Sequence, residues 1–217
     1  MESDKSSTLT TLIVAALRKR IIDGTLAPNV QVRQDHVAEE FGTSHVPVRE
    51  AFRLLEAEGL LVARRHKGVR VASLDADAVR ETAMMRAALE VLALEQSLSR
   101  ITGDDIMRAR NANANTETTQ DVGVWIEENR KFHMALIQPC AMPRLLAAIA
   151  GLQLASERYL HAAFRDHDWQ PRSCQEHMAI LEFLEAGEGL RAAQLLGKHI
   201  LAAGEALVDQ FGAQPEV

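Results

Sequence analysis

Apolar and polar positions along the first third of the chain change period at two places. Leu9, Leu12, Ile13, Ala16, Leu17 and Ile21 recur at helical spacing, which predicts a helix from about Ser7 to Asp23 with Gly24 as its stop. Pro28 and Asn29 mark a turn, and a short helix is predicted through His36–Phe41, ending at Gly42. Thr43 and Ser44 suit the N-cap of a third helix. Pro47 falls in its first turn, where the missing N–H has no intrahelical partner to lose. Inside that helix Val48, Ala51, Phe52 and Leu55 form one apolar stripe, and Arg49 and Arg53 lie four apart on another face. After Gly59 the period drops to two. Leu60–Ala63 and Val69–Ala72 flank the turn Arg65-His66-Lys67-Gly68, the pattern of a β-hairpin. Helix, glycine-containing turn, helix and basic hairpin together predict a winged helix-turn-helix. Such a unit offers its second helix to a major groove and its wing to the backbone or minor groove.

From residue 74 onward the period stays helical. Asp75 is placed to cap a helix reaching about Arg100, and Thr102-Gly103-Asp104-Asp105 has capping-box spacing for the next. That second helix is rich in Asn, Thr and Ala between Asn111 and Thr119, so it is expected at the periphery. Further helices are predicted from about Asp121 to Gln138, Pro143 to Arg165, Pro171 to Ala186 and Gly189 to Phe211. The expected fold is mainly α: a winged helix-turn-helix at residues 1–73, then an all-helical antiparallel bundle at 74–217.

Composition narrows the class. With 217 residues, 47% hydrophobic and 25% charged, the chain is an ordinary globular protein, and disorder or a fibrous repeat is excluded. Aromatics are only 4%, so the core must be Ala, Leu, Val and Ile. Cys140 and Cys174 form no C-x-x-C pair; they are expected to be packing residues in a reducing compartment. No apolar run approaches the ~20 residues of a membrane span, and the N-terminus resembles no signal or transit segment, so a cytoplasmic location is expected. A net charge of −6 argues against nucleic acid until it is divided. Residues 1–72 hold 11 Lys/Arg against 9 Asp/Glu, the remainder 13 against 21. Leu60–Ala72 contains Arg64, Arg65, Lys67 and Arg70 and no acid, and only the local field acts on a phosphate within a Debye length.

Three histidines of the bundle fall on or beside apolar stripes of different helices. His133 follows Asn129 by four, His177 lies on the line Cys174–Leu181–Leu184, and His199 on Leu195–Ala202–Ala206. Each alone fits a core imidazole with one hydrogen bond. If the three converge, their six nitrogens need partners, and a divalent cation accepts one from each ring while the other finds a carboxylate or carbonyl. Spacing leaves both readings open.

The run Thr43–Leu60, with Ile22-Asp23-Gly24-Thr25-Leu26-Ala27-Pro28 upstream, resembles the signature of the GntR family of bacterial transcriptional regulators. Residues 79–206 resemble the FCD effector-binding domain of that family's FadR-like branch, through Arg86–Glu90, Asn129–His133, Glu176–Leu181 and Lys198–Ile200. The first resemblance implies DNA contacts at Arg33, Ser44, His45, Pro47, Arg49 and Arg53, and at Arg65, Lys67 and Gly68 of the wing. His45 stands where Arg is usual in the family, and a neutral imidazole cannot make the bidentate guanine contact, so altered preference at that base is expected. The second resemblance implies a divalent metal ion, zinc or nickel, at Asn129, His133, His177 and His199, with a small organic acid beside it and Arg86 paired to the acid's carboxylate. Asn129 stands where Asp is common. A neutral ligand leaves the metal its full charge, which implies weaker metal binding and stronger attraction for an anion. The expected function is a homodimeric, ligand-responsive regulator, a repressor, on a palindromic double-stranded operator, with no membrane partner and no enzymatic activity. Two alternatives compete. In one the cation itself is the signal. In the other a metal-dependent hydrolase needs a general base, and Glu176 is expected to point off the face of His177.

Overall fold

A computed structural model describes residues 2–64, 68–163 and 170–212. The chain divides into two compact units, Met1–Leu74 and Asp75–Val217.

In the first unit α1 (Glu2–Ile22) precedes the two-residue strand β1 (Gln31–Val32), α2 (Gln34–Glu40), α3 (His45–Ala57), β2 (Leu61–Arg64) and β3 (Gly68–Val71). The buried stripes meet as the periodicity requires: Ile13, Leu17 and Ile21 of α1 pack with Val48, Phe52 and Leu55 of α3 in one core. Gly42 forms the turn between α2 and α3 at φ +59°, a left-handed conformation that costs a residue without Cβ little. Arg18 grips Glu58 with two bonds, 2.8 and 2.5 Å, so α1 is tied to the end of α3 by charge as well as by packing. The sheet is antiparallel in the order β1-β3-β2, with Leu61 opposite Val71 and Gln31 opposite Arg70. Strand β1 has no counterpart in the sequence reading. Two residues carry no measurable alternation, and Val32 joins the core only because β3 offers it an edge.

The second unit contains α4 (Ala76–Ser97), α5 (Gly103–Thr118), α6 (Val122–Ile137), a short 3₁₀ turn at Gln138–Cys140, α7 (Pro143–Ala163), α8 (Gln170–Glu185) and α9 (Gly189–Gly212). The predicted caps are in place. Asp75 accepts from the Asp77 N–H, Asp121 from that of Val124, and Thr102 with Asp105 closes a full capping box. Helices α4 and α9 run antiparallel at very short range. A Cβ added at Gly189, Gly197 or Gly204 would come within 2.5, 2.9 or 2.4 Å of Leu98, Val91 or Ala83 respectively. Helix α5 is largely exposed, as a peripheral helix should be, but its inner face is partly polar: it buries Asn113 and Thr116 beside Ala109 and Ala112, and both polar residues have partners on α8.

Candidate functional site

Helices α6, α8 and α9 bring His133, His177 and His199 together, with exposures of 1, 0 and 5%. One ring nitrogen from each lies within 4.8 Å of the others. The second nitrogen of every ring is already engaged. His133 Nδ1 is 2.7 Å from Glu90 Oε2, His199 Nδ1 is 2.7 Å from Glu176 Oε2, and His177 Nδ1 is 2.9 Å from Asn113 Oδ1. Carboxylates only accept, so His133 and His199 donate through Nδ1. The Asn113 amide is oriented by its own donation to the Cys174 carbonyl at 3.2 Å, so its oxygen faces His177 and also accepts. Each neutral ring therefore keeps its lone pair on Nε2. The Nε2 atoms of His177 and His199 are 3.1 Å apart, and two lone pairs at that range need a proton or a cation between them. Two imidazoles on one ion, with bonds of about 2.0–2.1 Å, place their nitrogens roughly 2.9–3.4 Å apart, so the observed spacing fits.

The local field agrees. Burial pushes His177 well below the ordinary imidazole range, and the neighbouring His199 and His133 push the same way. Burial also lowers His199 against the raising pull of Glu176. Burial alone would raise Glu90, but Arg86 and His133 together outweigh it and hold it at about 2. Glu176 is held at about 2 by its bond to His199, against partial burial and with help from Arg172. His177 and His199 are thus biased to the neutral form a metal requires, and the carboxylates Glu90 and Glu176 to the ionised form. Asn129 supplies a further sign. Its Oδ1 is buried and has no hydrogen-bond partner among the described residues, and it lines the same cavity as His133 and His199. A divalent cation fits this donor set.

That cavity measures about 40 Å³, and Arg86, Ser156 and Tyr159 share its wall. At roughly 10–15 Å³ per water-sized occupant it admits a group as small as a short carboxylate. Arg86 is not wholly free for such a ligand, because its Nε is 3.0 Å from Glu90 Oε1. Near the cavity, Tyr159 lines its wall, Arg130 pairs with Glu127 at the surface, and Arg158 is buried. His167 lies outside the described residues, while His161 is on α7.

Sequence reasoning missed the residues behind the rings. Glu90 is four residues from Arg86 and has the spacing of a surface ion pair, yet it is fully buried. Asn113 was passed over with its helix. Glu176 does point away from the face of His177, but toward His199 of the next helix. A carboxylate or amide behind each histidine is the one signal that could have found them, and it is visible only once the helices are paired.

On the first unit, Arg33 and Ser44 stand at the N-cap positions of α2 and α3, neither with a side-chain capping bond, and both are exposed, as are His45, Arg49 and Arg53. Asp35 sits among them, 3.9 Å from Arg33 and 3.7 Å from His45 Nε2. Pro47 departs from the expected contact set: it is buried in the first turn of α3, so its ring shapes the helix start and packs inward. Gly68 opens β3 at φ +75°, and a Cβ there would meet Gln31 Nε2 at 2.9 Å. The expected contacts Arg65 and Lys67 lie outside the described residues.

Two family profiles cover most of the chain: "Bacterial regulatory proteins, gntR family" matches residues 9–71 and "FCD domain" matches residues 81–202. The chain belongs to the GntR family and carries an FCD domain. Members of this family are transcriptional regulators rather than enzymes. This GntR protein is 30% identical over 207 residues to the uncharacterized HTH-type regulator BphR of Paraburkholderia xenovorans, covering 90% of this chain and 83% of that one. It is 28% identical over 206 residues to the galactonate operon transcriptional repressor of Escherichia coli, covering 84% and 89%. A solved GntR structure from Rhodococcus shares its fold, with a TM-score of 0.79 at 22% identity over 95% of this chain and 99% of that one. No described helix of this GntR protein is long and apolar enough to cross a membrane.

Proposed function

We propose that this GntR regulator is a homodimeric repressor that acts in the cytoplasm and whose grip on a palindromic operator is set by a small organic acid. The acid binds beside a divalent cation, zinc or nickel, held by His133, His177, His199 and Asn129. One observation carries the reading: three buried imidazoles converge, one nitrogen of each within 4.8 Å of the others, with every Nδ1 already engaged and the Nε2 atoms left without a carboxylate or amide partner. When bound, the cation supplies a fixed positive charge for a carboxylate. The chain's own residues do the rest. Glu90, Asn113 and Glu176 set the ring orientation, and Arg86 offers its guanidinium to the acid from across the cavity. The exposed set Arg33, Ser44, His45, Arg49, Arg53 and Gly68, with Arg65 and Lys67, contacts the DNA. Repression is supported by the Escherichia coli relative, a galactonate operon transcriptional repressor.

A cavity wider than the ion, with Arg86 on its wall, favours an organic effector over the cation as the signal. The test is fluorescence anisotropy on a labelled palindrome from the protein's own promoter region, with zinc alone and with zinc plus each of a panel of short organic acids. A coupling of about 1–3 kcal/mol predicts a 5–150-fold change in operator affinity for the right acid. Operator release by zinc alone would make the cation the signal. Operator affinity unmoved by every acid, in protein that binds no metal, refutes the proposal.

A further inference from the structure

Asp35 belongs to the first turn of α2, whose buried residues are Val37 and Ala38, and its side chain is 69% exposed. His45 opens α3 and is exposed as well, since the stripe Val48, Ala51, Phe52 and Leu55 takes the inner face of that helix. The fold brings the two together: Asp35 Oδ1 is 3.7 Å from His45 Nε2, and Oδ2 is 3.9 Å from Arg33. Neither distance is that of a hydrogen bond, so the carboxylate keeps its accepting capacity for another donor. An acid in a first turn suits the helix dipole, but that role needs no place beside the residues expected to touch DNA. There it costs affinity. Duplex DNA carries one negative charge per about 1.7 Å of its axis, and an exposed carboxylate within a Debye length is repelled by any sequence. The repulsion is offset only where a base offers the acid a proton.

Two bases carry an amine on their major-groove edge, cytosine at N4 and adenine at N6. A carboxylate only accepts, so it can take a hydrogen bond from either amine. At adenine its second oxygen meets N7, another acceptor, whereas cytosine shows no acceptor on that edge. We infer that Asp35 is a sequence-reading residue that accepts from the N4 amine of a cytosine in each operator half-site. This rests on the DNA-contact reading above and deepens it. His45, 3.7 Å away, addresses the same base pair or the next, since successive pairs are about 3.4 Å apart. Its imidazole also leaves the acid available. An arginine at this position would close a two-pronged pair with Asp35 and hold it off the bases.

Selection from a random-sequence duplex library by the full chain, followed by sequencing, tests the inference on the wild type, Asp35→Asn and His45→Arg. The wild type should enrich a palindrome with one fixed C·G pair per half-site that depends on Asp35. In Asp35→Asn that position should become A·T, because an amide is bidentate to adenine N6 and N7. Fluorescence anisotropy should then show each protein preferring its own site over the other's by about tenfold or more. His45→Arg should lose the cytosine although Asp35 is still present. A role in steadying α2 alone would move stability and leave base identity as it was. One motif shared by the wild type and Asp35→Asn overturns the inference and leaves DNA binding standing. So does an Asp35→Asn protein that binds every sequence more tightly with no base exchanged, for Asp35 is then a repelling charge only. Should that variant fail to fold, His45→Arg decides, and a cytosine that survives it overturns the inference. If the wild type enriches no sequence, the contact set and the inference fall together.

Discussion

Replacing Asn113 by Leu should weaken metal binding although Asn113 touches no metal. Its Oδ1 accepts the Nδ1–H of His177 at 2.9 Å, and that bond selects the tautomer whose lone pair sits on Nε2. Leucine fills similar space and accepts nothing. The His177 Nδ1–H, fully buried, then lacks a partner, at a cost of about 1–3 kcal/mol. The ring relieves that cost by moving its proton to Nε2, where it donates to His199 Nε2, 3.1 Å away. This internal hydrogen bond occupies both lone-pair positions the cation needs. Loss of such a supporting partner typically costs 10–100-fold in metal affinity, and that range is expected here. The assay is zinc competition against a chromophoric chelator at pH 7.5, with urea unfolding of the metal-free protein alongside. Asn113→Asp is the control, since it keeps the acceptor but loses the donation to the Cys174 carbonyl. If Asn113→Leu binds zinc within twofold of the wild type, the tautomer argument is wrong. If Asp and Leu weaken binding equally, the Cys174 bond matters instead.

Three further outcomes are expected. Asn129→Asp should raise zinc affinity and lower acid affinity by adding a negative ligand, measured by the same competition and by calorimetry. Gly204→Ala should destabilise the protein by about 1–3 kcal/mol, since the new methyl falls 2.4 Å from Ala83 Cβ; adding Ala83→Gly should recover most of it in denaturant titrations. Metal-free protein should lose stability as pH falls below about 6.5, because burial lowers His177 and His199, so the unfolded chain takes up protons that the folded one refuses. A second loss should follow between about 4.5 and 2 as Glu90 and Glu176 protonate. A midpoint temperature flat between pH 7 and 5 would contradict the first of these.

The winged unit was legible because every signal in it is local: a glycine after α2, a cap before α3, a four-residue stripe, a period change after Gly59. Strand β1 was not, because two residues owe their conformation to a partner 39 positions away, Gln31 against Arg70. In the bundle the histidines stood out by position, and their convergence waited on helix pairing. The groups behind them were hidden for a common reason. Hydropathy scores Asn113, Glu90 and Glu176 as residues for water, and only tertiary partners make it affordable to bury the first two and half-bury the third. Pro47 shows the reverse case: the resemblance implies a DNA contact, while its ring is buried in the first turn of α3.

Phe132 lies flat against His177, ring centroids 3.7 Å apart and planes 12° from parallel. With the three histidines almost wholly enclosed, an ion seated there has no open face on the ring side through which to leave. Its way in and out is then the cavity side, which Asn129 and Arg86 line with His133 and His199. An acid seated in that cavity would stand in the ion's path, so metal exchange should slow while the effector is bound.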